Sequence, residues 1–148
     1  MNNFKRKLLI KIVPLLSTLY GHPLPPVASA GAIIKNKNKI LAIDLSYKKG
    51  YSIPGGALSP GENFEEGVRR EVKEETNLEV TSLKYLSSKG VVTNNFGQVS
   101  VCFLAKVKDI KNIKSSDEGE ILWLEPEKLY KNCSYVDVKK HLKNYYKF

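Results

Sequence analysis

Arginine, cysteine and long apolar runs are all scarce in this 148-residue chain, and each scarcity removes a class of protein. Only Arg6, Arg69 and Arg70 are arginines, although Lys and Arg together number 24. The forked guanidinium that reads guanine or clasps phosphate bidentately is nearly missing, so sequence-specific reading of DNA or RNA is not expected. The two cysteines, Cys102 and Cys133, are far apart and form no CxxC pair. Neither a disulfide framework nor a zinc cluster is indicated, and the pair suits reduced thiols in a cytoplasmic protein. No apolar run approaches the roughly 20 residues of a membrane-spanning helix. What remains is one ordinary domain's length with 42% hydrophobic residues, enough for a single core.

The N-terminus resembles an export signal at first sight, with Lys5-Arg6-Lys7, an apolar stretch and then Ala28-Ser29-Ala30. Lys11 and Pro14 interrupt that stretch, while Phe4, Leu8, Ile12, Leu15 and Leu19 recur at helical spacing. An amphipathic helix is the expectation, and cleavage after Ala30 would cut into the first strand. Residues 1–24 therefore read as a helical extension with a Pro-rich linker, Gly21 to Pro26 supplying the punctuation, and 25–148 as the domain.

Within the domain, Val27 to Ile34 and Ile40 to Leu45 read as strands of a hairpin turning near Asn36 to Lys39. A Gly/Pro-rich loop from Ile53 through Gly61 leads to a helix over about Phe64 to Thr76. Val80 to Ser87, Val99 to Val107 and Ile121 to Leu124 are further strands, and short helices follow Pro126 and begin near Tyr135. The pattern is mixed α/β without repeats.

Charge is unevenly placed. Glu62 to Glu79 holds seven carboxylates against three cations, a net of −4, while the rest holds 21 cations against 8 anions, a net of +13. The helix in this acidic island departs from what stability alone would select. Asn63 and Glu66 form a capping-box pattern at its start, and Asn77 is suited to a left-handed stop at its end. Phe64, Val68 and Val72 make an apolar stripe, yet Glu75 falls on the wheel between Phe64 and Val68, with Glu71 and Glu74 progressively further round. Like charges at i+3 and i+4 each cost about 0.2–0.5 kcal/mol. They also sit at the end of the helix whose dipole repels anions. Hard oxygen ligands from one helical turn suit Mg²⁺ or Mn²⁺, ions that keep waters and share phosphate oxygens with a substrate.

These residues spell Gly56, Glu62, Arg70, Glu71, Val72, Glu74, Glu75, Asn77 and Leu78, which resembles the Nudix box G-x5-E-x7-R-E-U-x-E-E-x-G-U, U being a bulky aliphatic. Eight of nine fixed positions agree, and Asn77 replaces the last glycine. Tyr51 to Gly56 resembles the usual lead-in to the box, and Glu118, Glu120 and Trp123 resemble a second family segment, so the likeness spans about Val27 to Leu129. The resemblance implies an α/β/α sandwich around a mixed sheet and a metal-dependent hydrolase of phosphoanhydride bonds. It implies that Glu71, Glu74, Glu75 and the carbonyl of Gly55 bind metal, that Arg70 holds the glutamates, and that Glu62 pairs with Arg70.

The general base is left open between Glu71 and a downstream acid, Glu118 or Glu120. Tyr51 and Phe96, and Tyr47 beside them, are candidates to stack a base, though aromatic residues near strands are commonly core. The implied substrate is a nucleoside diphosphate linked to another moiety: a nucleoside triphosphate, an oxidised nucleotide or a nucleotide sugar. The sequence markers of ADP-ribose, NADH and coenzyme A hydrolases are missing, although ADP-ribose and dinucleoside polyphosphates stay as alternatives. A silent module that binds nucleotides on the same fold is the other reading, and a homodimer is one arrangement the resemblance allows.

Overall fold

Small residues give the central strand its place. Val27–Asn36 (β1) carries Ala, Ser and Gly through its first half and is buried along most of its length, as a strand covered on both faces must be. The computed structural model describes residues 26–93 and 96–148. The expected N-terminal helix and most of its linker lie outside the described residues.

The remaining elements are β2 (Lys39–Leu45), β3 (Tyr51–Ser52), β4 (Gly55–Ala57), helix α1 (Phe64–Thr76), β5 (Val80–Thr93), β6 (Phe96–Val107), a 3₁₀ turn (Ile110–Asn112), β7 (Gly119–Leu124), α2 (Pro126–Lys131) and α3 (Val136–Tyr146). The strands form one mixed sheet ordered β3-β2-β1-β6-β5, with β4 beside β1 and β7 beside β2. β1 runs parallel to β6, with Ala30 opposite Val101, and antiparallel to β4. The expected β1–β2 hairpin is present, Lys37 taking the positive φ of 52° at its turn.

Alternation then decides the layers. Ala30, Ala32 and Ile34 of β1 and Val101, Phe103 and Ala105 of β6 meet Val68 and Val72 of α1. Ile33 and Cys102, on the other face, meet Leu129 of α2 and Val138 and Leu142 of α3. This is the α/β/α arrangement. Val68, Val72 and Leu142 are fully buried, and each such side chain contributes about 1.5–3 kcal/mol on leaving water. Both cysteines are free; burial pushes the Cys102 thiol up to about 12 and also raises that of Cys133.

Two expectations are corrected. β5 and β6 extend well beyond the apolar runs at Val80 to Ser87 and Val99 to Val107, because their antiparallel ladder continues through Gly90–Val99 to Thr93–Phe96 by backbone pairing that needs no hydrophobic alternation. The Gly/Pro-rich stretch also contains a strand, β4, whose Gly55-Gly56 pair carries no side chain to announce it.

Candidate active site

Helix α1 begins where local chemistry dictates. Asn63 Oδ1 accepts from the Glu66 N–H at 2.9 Å and the Glu66 carboxylate accepts from the Asn63 N–H at 3.0 Å, completing the capping box. At the other end Asn77 has φ 60°, a left-handed cap that asparagine tolerates better than other non-glycine residues. The Asn77 side chain also donates to the Asn112 carbonyl at 3.0 Å, and the Lys114 N–H donates to the Thr76 carbonyl at 3.1 Å. The stretch after β6 is thereby tied to the end of the helix. Glycine at position 77 could not make the first of these contacts.

Arg70 organises the carboxylates. Its Nε and Nη2 grip Glu62 bidentately at 2.6 and 2.9 Å, while Nη1 donates to Glu71 at 2.9 Å and to Glu74 at 3.2 Å. Nη2 also donates to the Ala57 carbonyl at 3.1 Å, anchoring the guanidinium to β4. The fork beside Glu62 lowers that carboxyl to about 2, aided by the Ser59 N–H at 2.7 Å, and the same contacts raise Arg70. The guanidinium stays charged across the whole working pH range.

The helical wheel sorts the three acids by depth. Glu75 is 8% exposed, the Glu71 side chain 15% and the Glu74 side chain 55%. Glu75 Oε2 accepts from the Gly55 N–H at 2.8 Å. Glu71 lies so close to Gly56 that an added Cβ there would stand 2.6 Å from its carboxyl carbon. Gly56 is thus the space Glu71 occupies, and Gly55, at φ 152°, packs against the Ala30 carbonyl with no room for a side chain. α1 and β4 together aim two carboxylates at one Gly-Gly backbone.

The donor set is right in kind for a hard divalent cation: carboxylate oxygens, one of them buried, within one helical turn. Among the described residues, however, no three acidic, His or Cys side chains stand as a closed cation cage. Glu71 and Glu74 accept from Arg70 and Glu75 from the Gly55 amide instead. Mg²⁺ binds through one or two carboxylates plus substrate phosphates and needs no dedicated all-protein cage, so the residues fit it.

The downstream acids are placed differently. Glu118 is half-buried just before β7; its N–H donates to Ser116 Oγ at 3.3 Å and its carbonyl accepts from the Ser46 N–H. Glu120 pairs in register with Asp44 and is exposed. It alternates with Ile121 and Trp123, which pack toward α1, and shares the side of Leu122 and Leu124, which pack toward α3. Tyr51 packs in that α3-side cluster, away from α1, and Tyr47 bonds the Tyr135 hydroxyl at 2.8 Å. Phe96 opens β6 opposite Thr93. The backbone partners at Ala57, Ser59 and Gly55 left no trace in the sequence, because main-chain groups carry no residue signature.

Fold and site together define a phosphoanhydride hydrolase built on a mixed-sheet sandwich. The chain belongs to the Nudix family, the NUDIX domain model matching residues 25–145, and it is a Nudix pyrophosphohydrolase. It is 31% identical over 115 residues to a "MutT-like protein" of Streptomyces ambofaciens, covering 77% of this chain and 73% of that one. It is 36% identical over 97 residues to YtkD of Bacillus subtilis (strain 168), provisionally named an 8-oxo-dGTP diphosphatase, covering 62% of this chain and 60% of that one. The MutT protein of Methanosarcina mazei Go1 shares the fold at a TM-score of 0.70 and 23% identity, over 83% of this chain and 94% of that one. Among the described residues no helix is long and apolar enough to cross a membrane.

Proposed function

We propose that this protein hydrolyses a phosphoanhydride bond of nucleoside triphosphates, oxidised ones included, in a reaction that depends on Mg²⁺, with Mn²⁺ able to substitute. The single observation that carries the reading is the convergence of Glu71 and Glu75 on the Gly55-Gly56 backbone, with Arg70 clamped behind them by Glu62. The name of the Bacillus relative supports the substrate class. Glu71, Glu74, Glu75 and the Gly55 carbonyl are the residues that would hold the ion. When bound, it supplies charge neutralisation at the phosphate oxygens and orientation of the attacking water.

The chain's own groups do the rest. Arg70 fixes Glu71 and Glu74 in direction, and the Gly55 amide does the same for Glu75. Glu118 is the proposed base that accepts the water's proton, preferred over Glu120 because Glu120 shares the face of the sheet that packs away from α1. Glu118 follows the segment that Asn77 and Thr76 tie to the helix end, which gives it a defined approach.

The test is a metal-supplemented panel of nucleoside triphosphates, 8-oxo-dGTP, nucleotide sugars, ADP-ribose and dinucleoside polyphosphates, with products resolved by mass. Nucleoside monophosphate and pyrophosphate from the triphosphates are expected, and Glu74→Gln should lose that release. Full turnover by Glu74→Gln would refute the site assignment. Tight binding of triphosphates without turnover under any divalent ion would make the protein a binding module instead.

A further inference from the structure

On the face of the sheet opposite α1, α3 and β5 enclose an open groove of about 630 Å³ lined by Lys89, Lys140, Lys143, Asn144, Lys147 and Phe148. Among the described residues no Asp or Glu side chain lines it. Lys140 and Lys143 stand one turn apart on α3, and Lys147 follows as its left-handed cap. Lys89 closes the other wall from β5. Among the described residues none of these four lysines is ion-paired, whereas Lys108 on the neighbouring strand end meets Glu79 at 3.8 Å. Four like charges gathered in one groove repel one another, and stability alone gives little reason for the arrangement.

Phe148 adds a second property. Its ring packs against Tyr130, centroids 5.0 Å apart, and against Tyr146, 5.4 Å apart with planes 14° from parallel, and stays 36% exposed where it lines the groove. A positively charged groove with an aromatic platform is what a single strand of nucleic acid requires: ammonium groups for successive phosphates and a π-face for a base. Lysine point charges in place of arginine forks make such contact independent of sequence. One small anion would leave most of these lysines unused.

We propose that this groove binds the phosphodiester backbone of single-stranded nucleic acid without sequence preference, Phe148 stacking one base. The surface is separate from the Nudix box, so its occupant needs no anhydride bond.

A fluorescein-labelled 12-mer of thymidine with a 5′-hydroxyl end, which offers the box no anhydride, is titrated into the full chain by anisotropy at several salt concentrations. Binding is expected to weaken with salt. The triple variant K140Q/K143Q/K147Q should reduce affinity at least tenfold and flatten the log–log salt slope by about 2, three contacts at roughly 0.7 each. Nucleoside triphosphate hydrolysis by this variant should be unchanged. Phe148→Ala should weaken the oligonucleotide by about fivefold or more while leaving inorganic polyphosphate binding as it was. Glu74→Gln should bind the oligonucleotide like the parent. An unchanged salt slope in the triple variant overturns the proposal. So does equal loss of polyphosphate and oligonucleotide in Phe148→Ala, or lysine-dependent capture of phosphatidylserine vesicles with no oligonucleotide binding.

Discussion

Helices α1 and α3 press apolar stripes onto opposite faces of one sheet, and both bury titratable groups in doing so, yet they satisfy them in contrary ways. On α1 the buried or half-buried groups, Glu75 and Glu71, share one sign and depend on Arg70 and the Gly55 amide. On α3 the buried groups are Asp137 and His141, one turn apart. His141 Nδ1 bonds Ser87 Oγ at 2.6 Å and Nε2 bonds Ser100 Oγ at 3.1 Å, while Gln98 reaches Asp137 at 3.4 Å and Ser29 at 2.8 Å. Burial holds the imidazole down at about 4, only partly opposed by Asp137, with Lys89 acting in the same sense as burial. One helix gathers carboxylates around a single guanidinium; the other keeps its histidine neutral with hydroxyl partners. Under the proposed function, that difference separates a reactive face from a structural one.

The sharpest break in that comparison comes from Glu75→Gln. Hydrolysis measured with Mg²⁺ should fall more than about 100-fold, beyond what supporting groups alone usually contribute. In metal-free buffer its Tm should not drop, because a like-charge contact worth about 0.2–0.5 kcal/mol disappears. A large loss of Tm with activity retained would invert the assignment of the two faces. Arg70→Lys comes next. It keeps the charge but loses the fork on Glu62, so kcat should fall about 10–100-fold, and a kcat near the parent's would show that Arg70 positions nothing.

On the other face, His141→Ala should leave kcat unchanged while costing about 1–3 kcal/mol in urea unfolding, since Ser87 and Ser100 lose a buried partner. The sign of its pH dependence follows from the depressed value. The folded state resists protonation, so the stabilisation from neutral His141 is complete above the unfolded value of 6.5 and is lost as pH falls toward about 4. Thermal melts between pH 7 and 4 should show a decline that His141→Gln flattens; parallel curves would place the sensitivity elsewhere. The smallest effect is expected at Asn77. Asn77→Gly restores the residue of the family pattern and keeps the left-handed cap but loses the Asn112 contact, for which about 0.5–1.5 kcal/mol is typical. Asn77→Ala should be worse, having neither the contact nor an easy positive φ.

Much of the α1 face was legible in sequence. The capping box, the depth order of Glu75, Glu71 and Glu74, and the left-handed Asn77 all follow from helical periodicity and local hydrogen bonding, which act within a few residues. β4 was invisible because Gly55-Gly56 has no pattern, and the length of β5 and β6 because a ladder is a property of two strands together. The α3 face was barely legible. His141 reads as one histidine in a lysine-rich tail until β5 and β6 bring Ser87 and Ser100 to it from 54 and 41 residues away.

By itself, then, the sequence determined the helix, its caps and the Nudix box, because spacing of a few residues settles which side chains share a face. Tertiary structure alone decided that Arg70 ties the box to the Ala57 carbonyl, that Glu120 lies across the sheet from α1, and that lysines of α3 and β5 line one groove. Those relations depend on which strands pair and which face each side chain takes, and neither is encoded at any single position.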